Sequence, residues 1–184
     1  DRGHRGPVAR PPVNVYPESQ WTSAKPWCPY PQRWHSTDPQ STEIEVSELV
    51  AGFIRALQPE YVIETGACLG QTSMAIGLSL RANRHGQLAT LEPDPARAEV
   101  ARSRCRGLPV EVHEVLSLDF TPAQRVDFAW LDSRFELRIP EFMRYRDWME
   151  PGAIVGFHDT AQHHAESWGE MIDAVDGLRS IRLR

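Results

Sequence analysis

The chain has 184 residues, 41% apolar and 24% charged, which is enough for one globular domain or one domain plus an arm. Its net charge of −5 supplies no bulk basic field for nucleic acid. No apolar run approaches membrane-spanning length and no signal peptide is visible, so neither membrane nor nucleic acid is expected as a partner.

Three widely spaced cysteines, Cys28, Cys68 and Cys105, indicate neither a disulfide framework nor a zinc site. A reducing, cytoplasmic setting is the expectation. Lys25 is the only lysine; the other nineteen basic residues are arginines.

Residues 1–40 hold eight of the fifteen prolines together with Tyr16, Trp21, Trp27, Tyr30 and Trp34, and show no helical or alternating period. They read as an extended N-terminal arm, either packed on its own domain or a neighbouring subunit, or laid as a lid over a substrate site. Thr42 and Glu45 then read as a capping box. Val46, Leu49, Val50, Phe53, Ile54 and Leu57 continue at helical spacing, and Pro59 closes the segment.

Strands and helices alternate from there. Tyr61–Glu64 is a short buried strand and 70–82 a helix. Residues 87–92 form a strand, and Asp94 caps a helix with Pro95 in its first position, ending near Gly107. Strands are expected over 109–115, 126–132 and 153–159, with a helix from Pro140 to Met149 and another around 163–176. Five strands separated by helices predict a Rossmann-like α/β fold, a doubly wound, mostly parallel sheet with helices on both faces.

In such sheets the ligand lies beyond the carboxyl ends of the strands. The first strand ends in Glu64-Thr65-Gly66-Ala67-Cys68-Leu69-Gly70. Its glycines allow a close backbone approach, but the turn lacks the G-x-G-x-x-G of a dinucleotide site, and an acid suits a cationic or amine-bearing ligand better than phosphates. Glu92, after the second strand, is placed to accept ribose hydroxyls. Ser117 follows the third strand, Asp132 the fourth, and His158, Asp159 and Thr160 the fifth. The implied ligand has a ribose, a base and a zwitterionic tail.

With these motifs in order, the chain resembles class I S-adenosylmethionine-dependent methyltransferases over residues 42–184, most closely small-molecule O-methyltransferases of the catechol type and relatives ending in "HDT". The quoted motifs are "VIETGACLG", "LATLEPDP", "VDFAWLDS" and "MEPGAIVGFHDT". The resemblance implies that Glu64, Gly66, Ala67 and Gly70 line the methionine moiety, with Thr72 near its carboxylate. It places Glu92 on the ribose, Ser117 at the adenine, and Asp132 at the cofactor as well. It further implies a magnesium ion on Asp132 and Asp159 that orients a substrate hydroxyl and lowers its pKa.

This sequence departs from that pattern at two positions. Thr160 stands where the third metal ligand falls, and Phe135 where the family's lysine base falls. His158 is then the best remaining base, with Asp132 and Asp159 beside it. Arg134, Arg138, Arg144 and Arg146 read as a solvated helix face, with Arg134 alternatively meeting an anionic substrate. Cys68 reads as a small space-filler, and His113, His163 and His164 as surface or helix-start residues.

The function expected is methyl transfer to a hydroxyl of a small-molecule acceptor. Two other readings stay open: an NAD-dependent oxidoreductase, and a methyltransferase-like binding or assembly module that lost catalysis and works through residues 1–40. The stretch 180–184 could begin a sixth strand; a seventh is absent, so either the chain is cut short or a neighbour completes the edge. A homo-oligomer through the arm or that open edge is one way to cover it.

Overall fold

The structure, a computed structural model, describes residue 16, residues 18–23 and residues 32–159. The expectations for Lys25, Cys28, Thr160, the helix around 163–176 and the strand at 180–184 lie outside the described residues.

Two short strands of the arm, β1 (Thr22–Ser23) and β2 (His35–Ser36), pair antiparallel. The helix α1 (Ile44–Leu57) follows, then β3 (Tyr61–Thr65), α2 (Gln71–Asn83), β4 (Gln87–Leu91) and α3 (Pro95–Arg104). The remainder is β5 (Val110–His113), β6 (Val126–Leu131), α4 (Arg138–Tyr145) and β7 (Met149–Phe157). Five strands form one parallel sheet in the order β5-β4-β3-β6-β7. The order reverses at β3, which makes the crevice between β3 and β6 the switch point of the sheet.

All five residues of β3 are buried, as a central strand covered on both faces requires. Alternation along the strands sorts side chains between two core layers. Val62, Leu88, Phe128 and Trp130 pack with Val50 and Ile54 of α1 and Ile76 and Leu80 of α2. Tyr61, Ile63, Leu91, Ala129 and Leu131 pack with Phe142 and Tyr145 of α4. By the same alternation Glu64 falls on the α1/α2 side and Thr65 on the α4 side.

Asp94 caps α3 as expected, its carboxylate accepting from the N–H groups of Ala96 and Arg97. The capping box on α1 does not form. Glu43 is the N-cap, and no side chain caps the helix. Thr42 donates instead to Asp132 at 2.7 Å, and Glu45 accepts from the His35 N–H at 3.0 Å. A carboxylate acceptor makes a stronger hydrogen bond than a neutral one, so the tertiary partner wins Thr42 from the local one.

The helix expected over Pro140–Met149 is earlier and shorter. It starts at Arg138, turns into a 3-10 segment at Arg146–Trp148, and Met149 opens β7 by pairing with Val126. Pro140 lies in its first turn, where a missing N–H leaves no bond unmade. No helix among the described residues is long and apolar enough to cross a membrane.

Candidate active site

The turn after β3 carries three left-handed residues, Gly66, Cys68 and Gly70, with φ of 79°, 49° and 77°. The N–H groups of Gly66 and Ala67 both donate to the Leu91 carbonyl, which ties the turn to the end of β4. A Cβ on Gly66 would lie 2.5 Å from the Asp132 carbonyl oxygen, and one on Gly70 would lie 2.8 Å from the Ala101 Cα. These glycines let the turn press against the end of β6 on one side and α3 on the other.

Glu92 is buried, and its two carboxylate oxygens accept from the N–H groups of Cys68 and Asp94 at 2.8 and 3.0 Å. Each carboxylate oxygen has two lone pairs, so acceptor capacity remains for a ligand's hydroxyls. Glu64 is 1% exposed and lies behind the turn, where Ser73 donates to it and Thr90 donates at 2.6 Å. Burial raises its carboxyl to about 7, against the two hydroxyl bonds that favour the charged form. Thr72 is buried with its hydroxyl 3.5 Å from Ser47 of α1. Ser117 is buried too, and Tyr145 donates to its carbonyl oxygen.

Asp132, His158 and Asp159 come together at the ends of β6 and β7. His158 Nδ1 lies 2.8 Å from Asp132 Oδ1 and 3.6 Å from Asp159 Oδ1, while its Nε2 lies 2.9 Å from Glu43 Oε2. Gly156 has no side chain to block the Trp130 ring, which lies 5.9 Å from the imidazole. Burial would lower the His158 pKa, but Asp132, Glu43 and Asp159 outweigh it and hold it at about 10. A carboxylate faces each ring nitrogen, an arrangement that favours the imidazolium form.

Sequence reasoning missed Thr42, Glu43, Glu141 and Arg138. Glu141 is fully buried and accepts from Thr65 at 2.8 Å and Ser133 at 2.6 Å, which joins the ends of β3 and β6. Burial pushes its carboxyl up, against those hydroxyl donors. Arg138 is 2% exposed, not the solvated residue expected of it. Both lie on the stripe of α4 that buries Phe142 and Tyr145, at spacings of three and four, so helical periodicity was the available signal. Nothing local in the sequence marks Glu43.

Asp132, His158 and Asp159 place ligand-type atoms within 4.8 Å of one another, and Asp132 and Asp159 are the two residues on which magnesium is expected. Their surroundings do not fit a dication. Asp132 Oδ2 accepts from Thr42, and Asp132 Oδ1 faces both His158 and Arg138. Asp159 Oδ2 faces Arg138 at 3.1 Å, and Asp159 Oδ1 faces His158. All four oxygens are turned toward a proton donor or a cation, so an incoming Mg²⁺ would meet like charge, although a spare lone pair can still take up a proton.

A family profile described as "Methyltransferase domain" matches residues 63–160, more than half of the chain. The chain belongs to the methyltransferase-domain family. No curated protein sequence is similar enough to match it. Its fold is similar to that of the O-methyltransferase TomG from Streptomyces achromogenes in complex with SAM, at 20% identity and a TM-score of 0.67, covering 77% of this chain and 72% of that one. An O-methyltransferase from Bacillus cereus in complex with SAH gives 18% and 0.63, covering 77% and 66%. SAH-bound PaMTH1 of Podospora anserina gives 15% and 0.58, covering 74% and 67%. The Rossmann-like fold of this methyltransferase domain is therefore the one expected from the alternation of its elements.

Proposed function

We propose that this methyltransferase domain moves a methyl group from S-adenosylmethionine to a hydroxyl oxygen of a small molecule. The observation that carries the reading is the turn at 66–70, drawn tight against β6 and held at Cys68 by the buried Glu92. It presents small residues and acceptor oxygens, as a ribose and an amino-acid tail require. The structural relatives named as O-methyltransferases in complex with SAM or SAH support the donor and the acceptor atom.

In this reading Gly66, Ala67 and Gly70 wall the methionine end, with Thr72 in the first turn of α2 behind them. Glu92 takes the ribose hydroxyls, and Ser117 lies on the adenine side. Glu64 is too buried for broad contact and lies behind the turn, where an ammonium group bound in front would favour its charged form. Asp132 closes the wall beside Gly66. The acceptor oxygen attacks the methyl carbon in line with the sulfur; the O–CH₃ bond forms, the S–CH₃ bond breaks, and its electron pair stays on sulfur. Positioning supplies most of the rate.

The hydroxyl proton goes to the Asp159 carboxylate, which is 39% exposed and so the most accessible of the cluster's acids. Arg138 and His158 hold that acid in place. His158 becomes a base itself only once a neighbouring carboxylate leaves it.

Calorimetric titration with S-adenosylhomocysteine tests the reading. Micromolar binding that Glu92→Ala abolishes is the expected result. Absence of binding by the intact protein, or tight binding of NAD in its place, overturns it.

A further inference from the structure

We infer that the guanidinium of Arg138 stands where a divalent cation would, and that the cluster of Asp132, His158 and Asp159 works without metal. The inference rests on the methyl-transfer reading for its meaning, but the geometry stands by itself. Arg138 Nη2 donates to Asp159 Oδ2 at 3.1 Å, to the Ser133 carbonyl at 3.1 Å and to Asp132 Oδ1 at 3.4 Å. Arg138 Nη1 donates to the His158 carbonyl. One side chain thus ties the end of β6 to the end of β7 and neutralises acids from both, the two tasks a bridging ion performs.

The placement runs against local preference. Arg138 opens α4, where the helix dipole disfavours a cation. A residue that breaks the local rule while buried is held there by tertiary partners. Here they are the two aspartates, and the Phe135 ring lies over the guanidinium at 5.3 Å.

Asp132 and Asp159 both face the Arg138 guanidinium, and His158 lies between Asp132 and Glu43. A dication entering would sit against the guanidinium and have to displace it.

The test uses Mn²⁺ as the probe, followed by its electron paramagnetic resonance signal, with the full chain. Wild type is expected to leave Mn²⁺ free and to bind adenosylhomocysteine equally well with and without EDTA. Arg138→Gln, which removes the charge, is expected to bind Mn²⁺ at least about tenfold more tightly than wild type. Arg138→Lys keeps the charge and is expected to exclude Mn²⁺ still, which covers the case in which the glutamine variant does not fold.

Micromolar Mn²⁺ binding by wild type, lost in Asp159→Asn, overturns the inference. So does a folded Arg138→Gln with no gain in Mn²⁺ affinity, or Mn²⁺ binding by Arg138→Lys. Adenosylhomocysteine binding in the same samples reports separately on the donor: its absence would defeat the methyl-transfer reading and leave the manganese result intact.

Discussion

The Thr42 hydroxyl donates to the Asp132 carboxylate at 2.7 Å across 90 residues of chain. The next residue, Glu43, holds the His158 imidazole at 2.9 Å. One turn ahead of α1 therefore fixes both members of the Asp132–His158 pair. Thr42→Val keeps the shape and removes the donor, leaving a largely buried carboxylate oxygen short of one partner. A loss of about 1–3 kcal/mol is expected from the denaturant midpoint, with Thr42→Ser close to wild type. Equal stability of the valine and serine variants would show that the bond contributes nothing.

Glu64 gives the protein a pH dependence of definite sign. Its carboxyl is raised from 4.5 to about 7 by burial, so the native state binds more protons than the unfolded state between those values. Its contribution is fully present below about 4.5 and is lost as pH rises through about 7, a change of roughly 3 kcal/mol. Glu64→Gln should flatten that part of the unfolding free energy measured from pH 5 to pH 8. An ammonium group bound in front of the turn would lower the Glu64 pKa. Adenosylhomocysteine titration near pH 7 should then release a proton, seen as a heat that depends on the buffer.

His158 has the same sign in a higher window. Its pKa is raised from 6.5 to about 10, with the carboxylates of Asp132, Glu43 and Asp159 overcoming the opposing effect of burial. The stability it gives is complete below about 6.5 and disappears as pH rises through about 10. Nuclear magnetic resonance of the ring should show an imidazolium at pH 8. Glu43→Gln should bring the titration down toward neutrality, and an unchanged midpoint would remove Glu43 from the pair.

Two glycines separate cleanly by their surroundings. Gly66→Ala puts a methyl group 2.5 Å from the Asp132 carbonyl oxygen at a φ of 79°. It should lower stability by more than about 1–2 kcal/mol and abolish adenosylhomocysteine binding. Gly52 lies within α1 with nothing inside 4 Å of a Cβ. Gly52→Ala should raise stability by about 0.5–1 kcal/mol, read as a higher melting temperature, with the affinity unchanged.

The parallel sheet was legible because its signals are local. The apolar strands at 61–64, 87–92 and 126–132 are short and bounded by turns, and Asp94-Pro95 starts α3 with groups two and three residues apart. The glycines at 66 and 70 were legible for the same reason, since a positive φ is a property of one residue. The start of α1 misled because Thr42 and Glu45 fit a local motif while stronger acceptors and donors waited elsewhere. Arg138 misled because charge suggests solvent, and Glu141 was passed over, although their spacing with Phe142 and Tyr145 placed both on the buried stripe.

Sequence by itself determined the order of the elements, the switch-point turn and the residue types at each strand end, because backbone preference and apolar period act over a few residues. Only the tertiary structure decided what those strand-end acids hold. Asp132 meets Thr42, His158 and Arg138 from three separate elements, and Glu64 turns behind the loop onto Ser73 and Thr90. A carboxylate's partner is set by which donor lies within about 3 Å after folding, a distance that no spacing along the chain encodes.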